Sequence, residues 1–340
     1  MTSVTHLVVG PDEHGVTRYA LACARAVDAR VVRVPHRVTA ADVPELQRRL
    51  APGTPVHLHL TEHLLGRDPA EAATVVERLA RQVRLTLTLH DLPQPSDGTA
   101  HGARVRCYAR AAVAARGVVV SSEHERRLLH AVVGEAAGAL ADRVAVVPHL
   151  VHERDARARR PGGTSVTGAP RDVVVLGFVY PGKGHAAALE ALPALDPDVG
   201  LLALGAASPG HQHLVDDLAD RARRLGRRFT CTGWVPDDEL AAHLAHAAVP
   251  LVAHEHVSAS GTLGTWMSAG RRPLAPRNPY VDEVATRLPG AVDTTDDLLT
   301  GLRAALADPG RTWLADDVVL GPGASEVGRR VEALALRWAA

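Results

Sequence analysis

Short apolar runs alternate with longer Ala/Leu/Arg-rich segments along most of the chain. Runs of this length, bounded by Gly, Pro or charged turns, predict buried strands, and the segments between them are long enough for helices. In the first half the predicted strands are His6–Gly10, Arg30–Val34, Val56–Leu60, Leu85–Leu89, Val118–Val120 and Val144–Val147. In the second half they are Val173–Leu176, Leu201–Leu204, Phe229–Thr232, Val249–Val252, Arg272–Ala275 and a short Ala291–Val292. Such alternation is the signature of βαβ units, so the expected fold class is α/β with two doubly wound parallel sheets. Between the two series, Glu153–Thr164 is first charged and then Gly-rich, with neither period, which reads as a connection. The expected division is an N-terminal domain over 1–160, a linker over 161–171 and a C-terminal domain over 172–323. A last segment, 324–340, holds a helix from Ser325 to Trp338 that has the option of packing back on the N-terminal domain. Ligands in doubly wound folds bind outside the carboxyl ends of the strands, so the turns there should hold the chemistry.

Length and charge narrow the classes. A chain of 340 residues exceeds the size at which one core keeps growing, so two domains are the starting expectation. The formal net charge is zero, which removes the electrostatic footprint of a nucleic-acid binder and favours small ligands as partners. The three cysteines, Cys23, Cys107 and Cys231, are odd in number and lack C-x-x-C spacing, so neither a disulfide framework nor a zinc site is expected and a reducing cytoplasm fits. The strand at His6 begins too early to leave room for a signal peptide, and no apolar run approaches ~20 residues. A soluble, cytoplasmic protein is expected.

Lys183 is the only lysine, in a chain whose Lys+Arg total of 38 is otherwise arginine, and it lies in Gly177-Phe178-Val179-Tyr180-Pro181-Gly182-Lys183-Gly184. Isoleucine is absent and asparagine occurs once, as Asn278, as expected if biased base composition has removed these codons wherever a substitute sufficed. Lysine stayed in one place. An ammonium is a compact point charge, whereas a guanidinium is a wide planar fork that fits a tight glycine-bounded turn poorly. The preceding strand and following helix would aim backbone N–H groups at an anion, and Lys183 would add a full charge.

The other strand ends carry an ordered set of signals. Gly10 to Ala20 is a glycine turn opening a helix and contains Gly15 and Arg18. Thr88-Leu89-His90-Asp91 closes the fourth predicted strand, Ser121-Ser122-Glu123 follows the fifth with Ser122 as a helix cap, and Pro148-His149 follows the sixth. After the Lys183 loop come Thr232-Gly233-Trp234-Val235-Pro236 and then His254-Glu255-His256-Val257-Ser258-Ala259-Ser260-Gly261-Thr262-Leu263, before a helix ending at Gly270.

In this order the series resembles the retaining glycosyltransferases of family 4, over most of the chain. The resemblance implies the GT-B fold, two Rossmann-like domains facing across a cleft, and transfer of a hexose from a nucleoside diphosphate sugar to an acceptor hydroxyl, with retention and without a metal. The nucleotide sugar is a substrate, so no cofactor is implied; the acceptor is a small molecule or glycan, and peripheral membrane contact remains open. By the resemblance, His90 matches the histidine beside the transferred sugar, and Gly15, Arg18 and His149 lie on the acceptor side. Lys183, Val235, Ser258, Ser260, Gly261 and Thr262 lie on the donor side. Two positions depart from the family pattern. Phe178 stands where an arginine is usual, and Thr265 stands where a glutamate usually holds the ribose. Glu255 is the candidate to replace a second missing glutamate, near the sugar. The departures keep two alternatives in view, a catalytically inactive relative that binds nucleotide or sugar or supports a partner enzyme, and a nucleotide-sugar epimerase of the same fold.

Other polar clusters read more plainly. His57, His59 and His63 invite a metal, but no second cluster has matching ligand spacing, so they are expected to be structural. His254 and His256 flank Glu255 and are expected to face together and shape a pocket. Arg104, Arg106 and Arg110 recur near helical spacing and are expected on a solvated helix face.

Overall fold

The computed structural model describes residues 3–152 and 171–340. The chain forms two compact units, 1–150 with 322–340, and 151–321. The predicted linker, and the Glu153–Thr164 segment, lie outside the described residues, apart from Arg171, which opens a strand.

The first unit holds strands β1 (Thr5–Val9), β2 (Arg30–Val34), β3 (Pro55–Leu60), β4 (Arg84–Leu89), β5 (Gly117–Val120) and β6 (Val144–Val146). All are parallel, in the order β2-β1-β3-β4-β5-β6. Its helices are α1 (Gly15–Ala26), α2 (Val43–Arg49), α3 (Pro69–Ala80), α4 (His101–Ala114), α5 (Glu123–Val133) and α6 (Ala137–Leu140). Leu7, Leu58, Leu60, Leu85, Leu87 and Leu89 point to one face and pack on residues of α2 to α5 such as Leu46, Val76, Ala111 and Leu129. Helix starts are locally encoded, since Asp68 accepts from the Glu71 N–H with Pro69 following, and Ser122 accepts from the Glu125 N–H.

The second unit holds β7 (Arg171–Leu176), β8 (Val199–Leu204), β9 (Phe229–Cys231), β10 (Val249–Leu251), β11 (Leu274–Pro276) and β12 (Asp293–Thr295). The sheet is again parallel, ordered β12-β11-β10-β7-β8-β9. Its helices are α7 (His185–Ala191), α8 (Gln212–Arg224), α9 (Asp237–His246), α10 (Gly261–Ser268), α11 (Pro279–Arg287) and α12 (Leu298–Ala307). Val173, Val175, Leu201 and Leu251 bury against α7, α8 and α12, and Val174 and Leu176 bury against α9, α10 and α11. The last two strands sit slightly beyond their predicted places. Ala291 and Val292 are buried, but pairing begins at Leu274 and Asp293, so the ladder starts where Arg272 and Pro273 end. Pro273 lacks an N–H to donate to a ladder.

A final helix, α13 (Ala324–Ala339), belongs to the first unit and lies on α1, β3, β4 and β5. Its Val327 and Val331 join Tyr19, Cys23 and Val119 in a separate small core on the sheet face opposite the leucines.

Candidate functional site

In each sheet the strand order reverses once, between β1 and β3 in the first unit and between β7 and β10 in the second. The crevice outside the carboxyl ends of such a strand pair is where doubly wound folds take ligands. Lys183 lies at that place in the second unit, in the loop after β7. It is 5% exposed, its Nζ donates to Thr262 Oγ1 at 3.2 Å, and it stands 5.6 Å from the Tyr180 ring centroid. Among the described residues no carboxylate pairs with it. Burial alone lowers its pKa to about 7, so the ammonium is near its midpoint at neutral pH.

Two histidines adjoin it. His185 is buried, and neither ring nitrogen has a partner; burial first, and then Lys183, push its pKa down to about 3. His254 Nδ1 is likewise buried without a partner, and burial, Lys183 and His185 hold its pKa well below the ordinary value. Buried polar groups in proteins are ordinarily hydrogen-bonded, because an unpaired one costs about 1–3 kcal/mol. Two glycines permit the geometry. Gly184 has φ +101°, and a Cβ there would stand 2.5 Å from Ala253 O, so the loop after β7 lies against the loop after β10. Gly177 also has φ +101°, and its Cβ would meet Lys183 Nζ at 3.3 Å.

The start of α10 shares this edge. Ser260 Oγ accepts from the Leu263 N–H at 3.2 Å, and its own N–H donates to Tyr280 Oη at 3.0 Å. The Ser260 hydroxyl therefore caps the helix, while Thr262 positions the lysine. Ser258 is buried and Gly261 is exposed. Thr265 Oγ1 donates back to Gly261 O at 3.0 Å. Val235 is partly buried against the apolar layer under the sheet, next to exposed Trp234. Glu255 is exposed, and its N–H donates to Gly182 O at 2.9 Å. A Cβ on Gly182 would stand 3.5 Å from Glu255 Oε2, so that carboxylate covers the lysine loop. The expectation that His254 and His256 face together is corrected. β10 ends at Leu251, strand alternation does not reach them, and His256 is exposed while His254 Nδ1 is enclosed.

In the first unit, His90 follows β4 and is 6% exposed. Its Nε2 lies 3.2 Å from His59 Nδ1, and its ring is 5.2 Å from that of Tyr19. Burial, then His149 and His14, lower its pKa to about 3, so it is a neutral imidazole. It ends a polar layer on the sheet face under α1 and α13. His57 Nδ1 is 3.0 Å from Thr86 Oγ1 and Nε2 is 2.8 Å from Thr88 Oγ1. Thr86 donates to Val56 O, so His57 carries its proton on Nδ1 and accepts from Thr88. His6, directly across from His57 in the ladder, is fully buried with neither ring nitrogen partnered. His149 is half-buried, with its ring 4.5 Å from Tyr19 and Nδ1 3.1 Å from Leu150 O. Gly15 and Arg18 are exposed in the first turn of α1, which His14 caps by accepting from the Val16 N–H.

Arg104 corrects another expectation. Arg106 and Arg110 are exposed, but Arg104 is 6% exposed and ion-pairs with Glu62, Asp91 and Asp97. Tyr108 donates toward Glu62 and His90 O, the latter at 2.6 Å, and Arg104 donates to Asp91 O at 2.6 Å. This network clamps the His90–Asp91 turn, where Asp91 has φ +56°. Glu62, His63 and Asp91 bring three potential metal-ligating atoms within 4.8 Å of one another, yet the Arg104 guanidinium already holds both carboxylates.

No protein-family model matches the sequence, and no curated protein matches it. Solved structures do. The chain superposes on Anabaena HepE in complex with UDP-glucose with a TM-score of 0.66 at 17% identity, covering 98% of this chain and 94% of that one. It matches the lipopolysaccharide outer core galactosyltransferase WaaB at 0.58 and 12%, covering 98% and 97%. The catalytic domain of starch synthase IV from Arabidopsis thaliana, bound to ADP and acarbose, matches at 0.69 and 10%, covering 99% of each chain. Among the described residues no helix is long and apolar enough to cross a membrane. The two parallel six-stranded sheets with their helices are the GT-B fold.

Proposed function

We propose that the protein is a glycosyltransferase that moves a hexose from a nucleoside diphosphate sugar to the hydroxyl of a small-molecule or glycan acceptor. The observation that carries the reading is Lys183, the chain's one lysine, buried at the strand-order reversal of the second unit with no acidic partner among the described residues. An uncompensated buried cation is poised for an anion, and the leaving diphosphate is where negative charge grows as the glycosidic bond breaks. The UDP, UDP-glucose and ADP bound in structural neighbours support the same ligand class.

In this reading Lys183 and Thr262 bind the diphosphate, Ser258, Ser260 and Gly261 shape the adjoining helix start, and Val235 lies toward the nucleotide. His90 contacts the transferred sugar as a neutral hydrogen-bonding group, Glu255 replaces the missing acidic residue, and Gly15, Arg18 and His149 serve the acceptor. Retention at the anomeric carbon, membership of family 4, independence from metal and cofactor, and a cytoplasmic setting belong to the same proposal. The decisive experiment incubates the protein with nucleotide sugars and candidate acceptors and measures free nucleoside diphosphate. Release that depends on an acceptor supports transfer; turnover to a changed sugar without release would establish an epimerase instead.

One observation favours a second reading. Thr265, at the place where the resemblance expects a ribose-holding glutamate, gives its hydroxyl to its own helix. Nucleotide binding without turnover for any donor and acceptor pair would identify an inactive relative. Within the transferase reading, His90→Ala and Glu255→Ala should each lower kcat while leaving nucleoside diphosphate affinity nearly intact.

A further inference from the structure

A nucleoside diphosphate sugar carries about two negative charges on its bridging phosphates, and the second unit buries one lysine to meet them. The unmet need lies next to an unmet group. His185 is two residues along from Lys183, 3% exposed, with both ring nitrogens enclosed and unpartnered. Gly184 presses the loop between them against Ala253, so His185, Lys183 and His254 gather at the ends of β7 and β10. We propose that His185 is a second phosphate-site residue, which takes a proton from solvent as the diphosphate enters and becomes its second cation. The proposal rests on reading the second unit as a nucleotide-sugar binder.

The surroundings favour charging only in the presence of the ligand. Lys183 and His254 act on His185 directly; Lys183 in turn meets the Tyr180 ring and the Thr262 hydroxyl, and Glu255 lies over Gly182 on the same loop. Lys183 disfavours a proton on His185, and the Glu255 carboxylate lies over Gly182. An anion held by Lys183 would reverse the balance, because opposite charge at close range stabilises the protonated imidazole. The proton moves from water or buffer to a ring nitrogen; no bond other than N–H forms.

The test uses UDP-glucose and ADP-glucose, whose diphosphate diesters do not titrate near neutrality. Calorimetry at pH 6, where Lys183 is already protonated, is run in buffers of different ionisation enthalpy to count protons taken up on binding. Wild type should take up a fraction of a proton, and His185→Gln should lose that uptake and bind at least tenfold more weakly. His185→Phe, which fills the space, should behave like His185→Gln; a merely structural histidine would leave the proton count unchanged in both. Unchanged affinity and uptake in His185→Gln, or loss of uptake in His254→Gln with retention in His185→Gln, overturns the assignment. Absence of binding by the wild type to either sugar nucleotide overturns the ligand reading itself, and with it this proposal.

Discussion

The two units treat their buried cations differently, although each also encloses a histidine with neither ring nitrogen partnered, His6 in the first and His185 in the second. In the first, His57 lies between two threonine hydroxyls, His59 meets His90, and Arg104 has three carboxylates. In the second, among the described residues, Lys183 has a single neutral hydroxyl. The contrast does not follow from a general tolerance of buried cations in the second unit. Arg271 is also buried there, with its pKa lowered to about 9, yet it donates to Leu244 O, Ala247 O and Thr312 O and stacks 4.1 Å from the Trp313 centroid. Polar burial that closes on itself fixes a structure. A buried cation left open prepares a place for an anion.

Acid should expose the difference most strongly. His6 and His90 have pKa values lowered to about 4 and 3, and burial holds His57 and His59 well below the ordinary value. The unfolded chain protonates these histidines near pH 6.5. The native state does not until lower pH, so stability is full above 6.5 and falls as pH drops toward 4. Each linked histidine contributes a slope of about 1.4 kcal/mol per pH unit, and together they should outweigh any single truncation below. Hydrogen exchange at pH 5 should show 55–60 and 324–339 opening before 171–176; simultaneous opening would mean that the histidine layer is not the weak point.

Truncating the two buried cations should have effects of opposite sign. Arg104→Ala leaves Glu62 buried and unpaired and should cost about 3–5 kcal/mol in denaturant unfolding. Lys183→Met removes a desolvated charge that has no carboxylate to balance it, so stability should hold or rise, while nucleoside diphosphate binding weakens by about 1.5–3 kcal/mol. Loss of stability in both variants would remove the distinction between closed and open networks.

The smallest effect sharpens the open site. Binding needs the Lys183 ammonium, whose pKa in the empty site is about 7. Affinity for UDP-glucose should fall gently with rising pH below 7, by the fraction of a proton that His185 takes up, and more steeply above 7, by up to about tenfold per unit more. A flat profile to pH 9 would show that Lys183 is charged before the ligand arrives.

The sequence made the architecture legible because strand length and turn chemistry are local. Short Val- and Leu-rich runs between Gly and Pro located ten of the twelve strands, and Ser122 was readable as a helix cap. The misplacement of β11 and β12 arose where Ala291 and Val292 are buried without joining the ladder. The partners of buried charge were less legible, because they are distant in sequence. Arg104 looks like its exposed neighbours at helical spacing, and only the fold brings Glu62 and Asp91 to it. His185 had a faint signal, a histidine directly after Lys-Gly. The polar sheet face had a stronger one, since His57-Leu58-His59-Leu60 and Thr86-Leu87-Thr88-Leu89-His90 alternate with the period of a strand.

A chain with one lysine offers spectroscopists an unusual convenience. Reductive methylation with carbon-13 formaldehyde would place a single labelled side-chain dimethylamino group, at Lys183, free of the surface background that most proteins give. Its chemical shift would follow the charge on that nitrogen during a titration, and would change again as a nucleotide enters. With arginine at every other basic position, the chain has one side-chain amine reporter, at the proposed donor site.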